Sequence, residues 1–325
     1  MPDPITSTMT VDKKAETELL SEVIGRTFDL VTETFLRIFD TDYLNFGLWL
    51  NEHEPIQAAQ ARLVDEFGRF SKLDQQSTIL DAGFGTGAQD FRYFDLFQCE
   101  RVVGINVSAA QVRLAQEKLA KRENLHEVIS FKQGDALHLA QLSKESFNRV
   151  LALESGQLFL DKRTFFEGAR HVLKSGGCLC LAEPIILSDS AFADIPRAKI
   201  EAEWPEVPDK DRNFCDRLHQ NLQALVSSEI SVRKSYPHYG LLYPEYLKVL
   251  RTSGFQIEEI RDITCQINFF YPHFKRKMKD LFVGDHSTQQ SDVEKDVLMR
   301  FLSAFYWRDV TFRSGAAGYF LIRAS

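Results

Sequence analysis

Ser77-Thr78-Ile79-Leu80-Asp81-Ala82-Gly83-Phe84-Gly85-Thr86-Gly87-Ala88 is the stretch that decides the fold. An apolar run ends in an aspartate, and glycines follow at every second position. This pattern predicts a buried strand, a tight turn and a helix start. Glycine serves where φ must be positive or where backbone lies against a ligand. Asp81 falls at the carboxyl end of the strand, where open α/β sheets bind their ligands. The spacing is Asp-x-Gly-x-Gly-x-Gly, with Asn106 near the position where a dinucleotide-binding turn carries its acidic residue.

Outward from this turn, strand and helix signals alternate. Arg101 to Asn106 is a second strand, and Ser108 caps a helix running to about Lys121. Val128 to Lys132 and Asn148 to Leu153 are further strands. A helix from Asp161 to Leu173 is closed by Ser175-Gly176-Gly177, and Cys178 to Glu183 is a fifth strand. Such alternation predicts a doubly wound, mostly parallel sheet with helices on both faces. The order then breaks. Residues 185–243, rich in proline, read as a helical lid insertion. The sheet resumes with Phe255 to Ile263 and ends with Tyr319 to Arg323, with a second helical insertion at 268–313. Before the turn, residues 1–11 read as a disordered tail and 12–74 as a helical cap, with Thr27 capping a break between two helices. Residues 75–184 form the cofactor-binding core and 244–325 its remainder.

The formal net charge is −7, and Lys275-Arg276-Lys277 is the longest basic run. That balance argues against nucleic acid as the partner. No apolar stretch reaches the 18 or so residues of a membrane span, and the N-terminus lacks the basic and apolar regions of a secretory signal. The 5 cysteines are scattered without zinc-ribbon spacing, so no metal site is expected and a reducing cytoplasm fits. Nothing in the sequence sets the oligomeric state.

The glycine turn resembles motif I of the class I S-adenosylmethionine-dependent methyltransferases. Gly104-Ile105-Asn106-Val107-Ser108-Ala109-Ala110-Gln111 is similar to the Gly-Ile-Thr-Leu-Ser-x-x-Gln segment of one group in that family. The group holds the tocopherol, sterol and sarcosine-type enzymes and the cyclopropane and mycolic acid synthases. Gln133-Gly134-Asp135-Ala136 resembles the family's adenine-binding turn, and Asn45-Phe46-Gly47-Leu48-Trp49 its His-x-Gly-Tyr-Trp cofactor lid. Glu154-Ser155-Gly156-Gln157-Leu158 resembles its Glu-Ser-x-x-His segment, with Leu158 in place of the histidine.

The resemblance implies a seven-stranded Rossmann-like methyltransferase fold with N-terminal helices. The implied cofactor is S-adenosylmethionine, converted to S-adenosylhomocysteine. The implied cofactor residues are Tyr43, Asn45, Asp81, Gly83, Gly85, Gly87, Asn106, Val107, Gln111, Asp135, Ala136 and Leu153. Asn106 and Gln111 can each donate to and accept from ribose hydroxyls. Glu154 is a candidate for favouring the sulfonium or taking a proton, against a purely structural carboxylate. His238, Tyr239 and His273 are the candidates on the acceptor side, against lid residues packed on aromatics.

Leu158, with Phe159, Phe165, Phe166, Phe192, Phe269 and Phe270, points to a small, largely apolar acceptor. O- or N-methylation of a natural product is one reading. C-methylation of an alkene or prenyl diphosphate is another, with aromatic faces steadying a carbocation and Lys275, Arg276 and Lys277 holding the diphosphate. A catalytically idle scaffold is the third, and the intact glycines, Asn106, Gln111 and Asp135 weigh against it.

Overall fold

The computed structural model describes residues 4–205, 212–282 and 292–325. β1 is Thr78–Ala82, β2 Arg101–Asn106, β3 Ile129–Gln133, β4 Phe147–Leu153, β5 Leu173–Ile186, β6 Ile257–Asp262 and β7 Ala317–Ala324. They form a 7-stranded sheet in the order β3-β2-β1-β4-β5-β7-β6. The first five strands are parallel, and β7 runs antiparallel between β5 and β6. β1 is buried along its whole length, which is why it reads as a continuous apolar run. The order reverses beside β1, so the carboxyl ends of β1 and β4 open on a crevice.

Helices cover both faces. α1 spans Pro4–Phe39, α2 Ile56–Phe70, α3 Ala88–Phe97, α4 Ala109–Ala120 and α5 Lys162–Val172. Beyond β5 come α6 (Arg197–Glu203), α7 (Arg212–Ser235) and α8 (Tyr243–Thr252). Between β6 and β7 lie a single turn, α9 (Thr264–Ile267), and then α10 (Phe270–Phe282) and α11 (Asp292–Arg313). One buried cluster packs α1, α2, α7, α10 and α11 over one face of the sheet. A second packs α5 and α8 under the other. The two insertions do not stand apart: α11 lies along α7 and touches α10, and α1 touches α11.

Three local expectations are corrected. α1 is unbroken, and Thr27, expected to cap a break, donates its hydroxyl to the Val23 carbonyl 2.8 Å away inside the helix. A threonine hydroxyl satisfies itself on its own turn as readily as it caps one. Residues 4–11, expected within a disordered tail, belong to the same helix, because propagation adds a bond per residue once a helix is nucleated. Residues 1–3 of that tail lie outside the described residues. Glycine does not close α5. That helix ends at Leu173, already extended, and Gly176 instead turns the chain by its positive φ of 73° between the paired Leu173 and Cys178.

Candidate functional site

The turn after β1 lies beside one end of a cavity of about 970 Å³. Gly83 has φ 88° and Gly85 φ 60°, values that favour glycine. The two fail differently if given a side chain. A Cβ on Gly83 would stand 2.3 Å from the Ser155 Cβ, whereas one on Gly85 would meet nothing closer than the Leu44 Cδ1 at 3.6 Å. Gly83 is therefore fixed by packing, and Gly85 leaves open a space over the turn that any side chain would fill.

Gly83, Gly85, Asn106, Val107, Gln111, Asp135, Ala136, Leu153 and Glu154 all line this cavity, as do Tyr43 and Asn45. β2 ends at Asn106, and Ser108 caps α4 by accepting from the Gln111 N–H. Asn106 donates to the Gln111 Oε1 at 2.7 Å and accepts from the Ser108 N–H at 3.0 Å. Gln111 in turn donates to the Thr32 hydroxyl at 2.8 Å. Each amide keeps one N–H beyond these bonds. Asp135 caps its own turn through Oδ1, which accepts from the Leu137 N–H at 2.8 Å. Asn45 accepts from the Gly47 N–H at 3.0 Å and donates to the Gln60 carbonyl at 3.4 Å, so its amide shapes the lid loop.

Asp81 and Gly87 stand behind the wall. Asp81 is fully buried and accepts at 2.6 Å from Gln89, which does line the cavity. Its other oxygen and both oxygens of Asp90 have no donor. Burial pushes both carboxyls up, and the neighbouring Asp81 charge raises Asp90 further. A Cβ on Gly87 would meet Phe131 and Ala115 at 2.8 and 2.9 Å, so this glycine seats α3 and α4.

Glu154 follows β4 with φ 56°, a left-handed conformation uncommon for a non-glycine residue. Its Oε1 accepts from the Phe46 N–H at 2.9 Å and from the Tyr319 hydroxyl at 2.8 Å. Burial pushes its pKa up to about 8, against the pull of those two donors and of Arg308.

The rest of the wall is helical. α1 contributes Phe28, Val31, Thr32 and Phe35, and α11 contributes Phe301, Phe305, Trp307 and Arg308. Phe305 lies within ring-packing distance of Phe35, Phe46, Phe270, Phe274 and Phe301. α1 is fastened to the sheet end by Asp29, whose Oδ1 accepts from the Ser108 hydroxyl at 2.6 Å and from the Ala110 N–H at 2.9 Å.

On the acceptor side, the structure sets both histidines away from the cavity, His273 in the packed alternative weighed for it. His238 lies on the start of α5, its Nδ1 3.0 Å from the Asp161 carboxylate that caps that helix. His273 packs on Trp49 with ring centroids 5.4 Å apart, and burial first, then Arg276 and Lys277, lower its pKa. Neither histidine lines the cavity. Tyr239 borders a small adjoining pocket and donates to Glu229 at 3.2 Å. Lys275 and Arg276 each donate to a backbone carbonyl, of Glu203 and Glu52, and neither lines the cavity. Phe165, Phe166 and Phe270 are buried core, while Leu158 and Phe159 do line the cavity. The sequence reading expected the insertions at 185–243 and 268–313 to hold the acceptor, and both contribute lining residues through α7 and α11; it missed α1, because helix periodicity marks an apolar face without saying what it faces. One signal was legible: Arg308 interrupts the stripe Phe301, Phe305, Phe312 at helical spacing.

A family model described as a methyltransferase domain matches residues 73–231. Erythromycin 3''-O-methyltransferase of Saccharopolyspora erythraea is 35% identical over 239 residues, 73% of this chain and 70% of the relative. The chain belongs to the S-adenosylmethionine-dependent methyltransferases. Among solved structures, the cyclase SpnF superposes with a TM-score of 0.68 at 21% identity, over 94% of this chain and 95% of its own. A cyclopropane synthase from Mycobacterium tuberculosis gives 0.67 at 16% identity, over 92% and 96%. At such identities these likenesses speak to fold alone, and that fold carries more than one chemistry.

S-adenosylmethionine is the cofactor of this methyltransferase. The cavity suits it on its own evidence: an open space above Gly85, spare amide donors on Asn106 and Gln111, and a carboxylate oxygen of Asp135 beyond its capping bond.

Proposed function

We propose that this methyltransferase acts on a hydroxyl of a bulky, largely apolar natural product, with Glu154 the group that handles the hydroxyl proton. The observation that carries the reading is the continuity of one cavity from the Gly85 turn to the phenylalanines of α11. Its volume lies at the upper end of the ~300–1,000 Å³ usual for ligand sites, consistent with a cofactor and an acceptor side by side. The name of the erythromycin relative, an O-methyltransferase, points the same way.

In this reading Asn106 and Gln111 hold the ribose hydroxyls, Asp135 and Ala136 the adenine, and Leu153 and Val107 the apolar flank. Gly83 and Gly85 admit the methionine end, and Tyr43 and Asn45 belong to the loop folded over it. Asp81 and Gly87 support that wall from behind. The cofactor supplies a methyl group on a positively charged sulfur, an electrophile that needs no further activation. The chain's own work is then to align the acceptor oxygen, exclude water and accept one proton. Transfer of the methyl from the cofactor to the acceptor oxygen would leave the hydroxyl proton to be taken by the Glu154 carboxylate. Phe46 N–H and the Tyr319 hydroxyl hold that carboxylate in place. A prenyl diphosphate acceptor finds less support, because none of Lys275, Arg276 and Lys277 lines the cavity. A cytoplasmic location fits five free cysteines and the lack, among the described residues, of a helix long and apolar enough to cross a membrane.

Calorimetric titration with S-adenosylhomocysteine, with NAD as control, comes first. Methyl-labelled cofactor with hydroxylated natural products, amines and isoprenoid diphosphates follows. The expected result is S-adenosylhomocysteine binding, no NAD binding, and label on oxygen. Label on nitrogen or carbon instead would overturn the O-methylation reading.

A further inference from the structure

At the helical end of the cavity two charges interrupt apolar stripes. Arg308 lies on the face of α11 that carries Phe301, Phe305 and Phe312, and Glu229 on the face of α7 that carries Leu218, Leu222 and Leu225. Both residues line the cavity, and both also border the small adjoining pocket. Neither forms an ion pair among the described residues. Arg308 donates one hydrogen bond, to the Gln157 Oε1 at 3.0 Å, and its guanidinium lies 4.7 Å from the centre of the Trp307 ring. A guanidinium carries five N–H groups, so most of its donors are left over. Among the described residues Glu229 accepts only the Tyr239 hydroxyl, shared between its two oxygens at 3.2 Å each.

Half-buried charges whose hydrogen-bonding groups are left without partners are costly, and a ligand that supplies those partners recovers the cost. Burial raises the Glu229 pKa and lowers that of Arg308, each offset in part by the charge of the other. The group that completes the pair must accept from the fork and donate to the carboxylate. A hydroxyl beside a second oxygen does both; a carboxylate ligand would face Glu229, and an ammonium would face Arg308. We propose that Arg308 and Glu229 form a subsite for a sugar- or polyol-like segment of the acceptor, holding its oxygens and so selecting which hydroxyl meets the methyl group. Gln157 ties this subsite to the transfer end, since it takes the Arg308 bond and donates to the Glu154 carbonyl at 3.3 Å.

The inference rests on the O-methylation reading, and its test separates the two. Glycosylated macrolactones and their sugar-free aglycones are offered with methyl-labelled cofactor to wild type, Arg308→Lys, Arg308→Met and Glu229→Gln. Glycosides are expected to be methylated with a kcat/KM at least tenfold above the aglycones. Each variant is expected to raise the glycoside KM tenfold or more, to change kcat less than threefold, and to leave S-adenosylhomocysteine affinity within twofold. Arg308→Lys keeps the charge but not the fork, so it guards against a variant that merely fails to fold. Glycoside KM unchanged in folded variants, or aglycones used as well as glycosides, would overturn the subsite. If no hydroxyl is methylated, saturation-transfer NMR of the same glycosides on the cofactor-product complex decides it. Binding in wild type that is lost in Arg308→Met and Glu229→Gln supports the subsite while the O-methylation reading falls. No glycoside binding to wild type overturns the subsite.

Discussion

The two ends of the cavity are built on different principles. At the sheet end, the wall is made by strand termini, a glycine turn and amides bonded to one another over a few residues: Asn106 to Ser108 and Gln111, Asp135 to Leu137. At the helical end it is made by side chains from α1, α7 and α11, which are up to some 280 positions apart in the chain and meet only by packing. The first kind of wall depends on local geometry, so one added atom closes it. The second depends on the fit of many rings, so it tolerates exchange and can be reshaped for another acceptor. Asp29 joins the two, fastening α1 to the start of α4.

The junction offers the largest effect. Glu154→Gln is expected to lower kcat by ~10²–10⁴, the usual contribution of a positioned acid or base. Wild-type kcat/KM should rise with pH through about 8, and that limb should vanish in the variant. Stability runs the other way. The folded pKa of Glu154 is raised above its unfolded value, so its contribution is present in acid and is lost as pH rises through about 8. Chemical denaturation of the apo protein at pH 6 and pH 9 should show a steeper loss in wild type than in Glu154→Gln.

Gly85→Val is expected to weaken S-adenosylhomocysteine binding by ~100-fold or more, about 2.7 kcal/mol, with the circular dichroism spectrum kept. Gly83→Val should instead fail to fold, since its Cβ would overlap Ser155. A folded Gly85→Val that binds as wild type would end the distinction between the two walls. At the helical end, Phe305→Leu removes the ring contacts but keeps a branched apolar side chain, and should cost about 1–2 kcal/mol of stability. It should raise acceptor KM several-fold with cofactor affinity unmoved; a matching loss of both would show that the ends are not separable. Asp29→Ala removes two bonds from the junction of α1 and α4, worth ~1–3 kcal/mol. It should weaken cofactor and acceptor together, and an effect on the acceptor alone would sharpen the boundary. His238→Ala is expected to change kcat/KM less than twofold, while unfolding at a lower denaturant midpoint as the Asp161 cap loses its partner.

Legibility in the sequence follows the same division. β2, the Ser108 cap and α4 lie within a residue of expectation, because an apolar run, a cap and a glycine act over a turn or less. The cavity positions of Gly85, Asn106, Gln111, Asp135 and Glu154 were likewise available from the motif. His238 and His273 misled because a histidine among aromatics looks the same in sequence whether it meets a ligand or a helix cap. Gly176 misled because its positive φ turns the chain within a strand entrance rather than at a helix end.

By itself, then, the sequence determined the doubly wound sheet and the residues at the strand ends, since each rests on short-range backbone chemistry, while the cofactor followed from the family resemblance those residues carry. Only the tertiary structure decided that α1 walls the acceptor space beside α11, that Tyr319 holds Glu154 from the far end of the chain, and that Arg308 and Glu229 share one cavity. Those pairings come from helices packing across insertions, where periodicity reveals a buried face and long-range geometry alone reveals its partner.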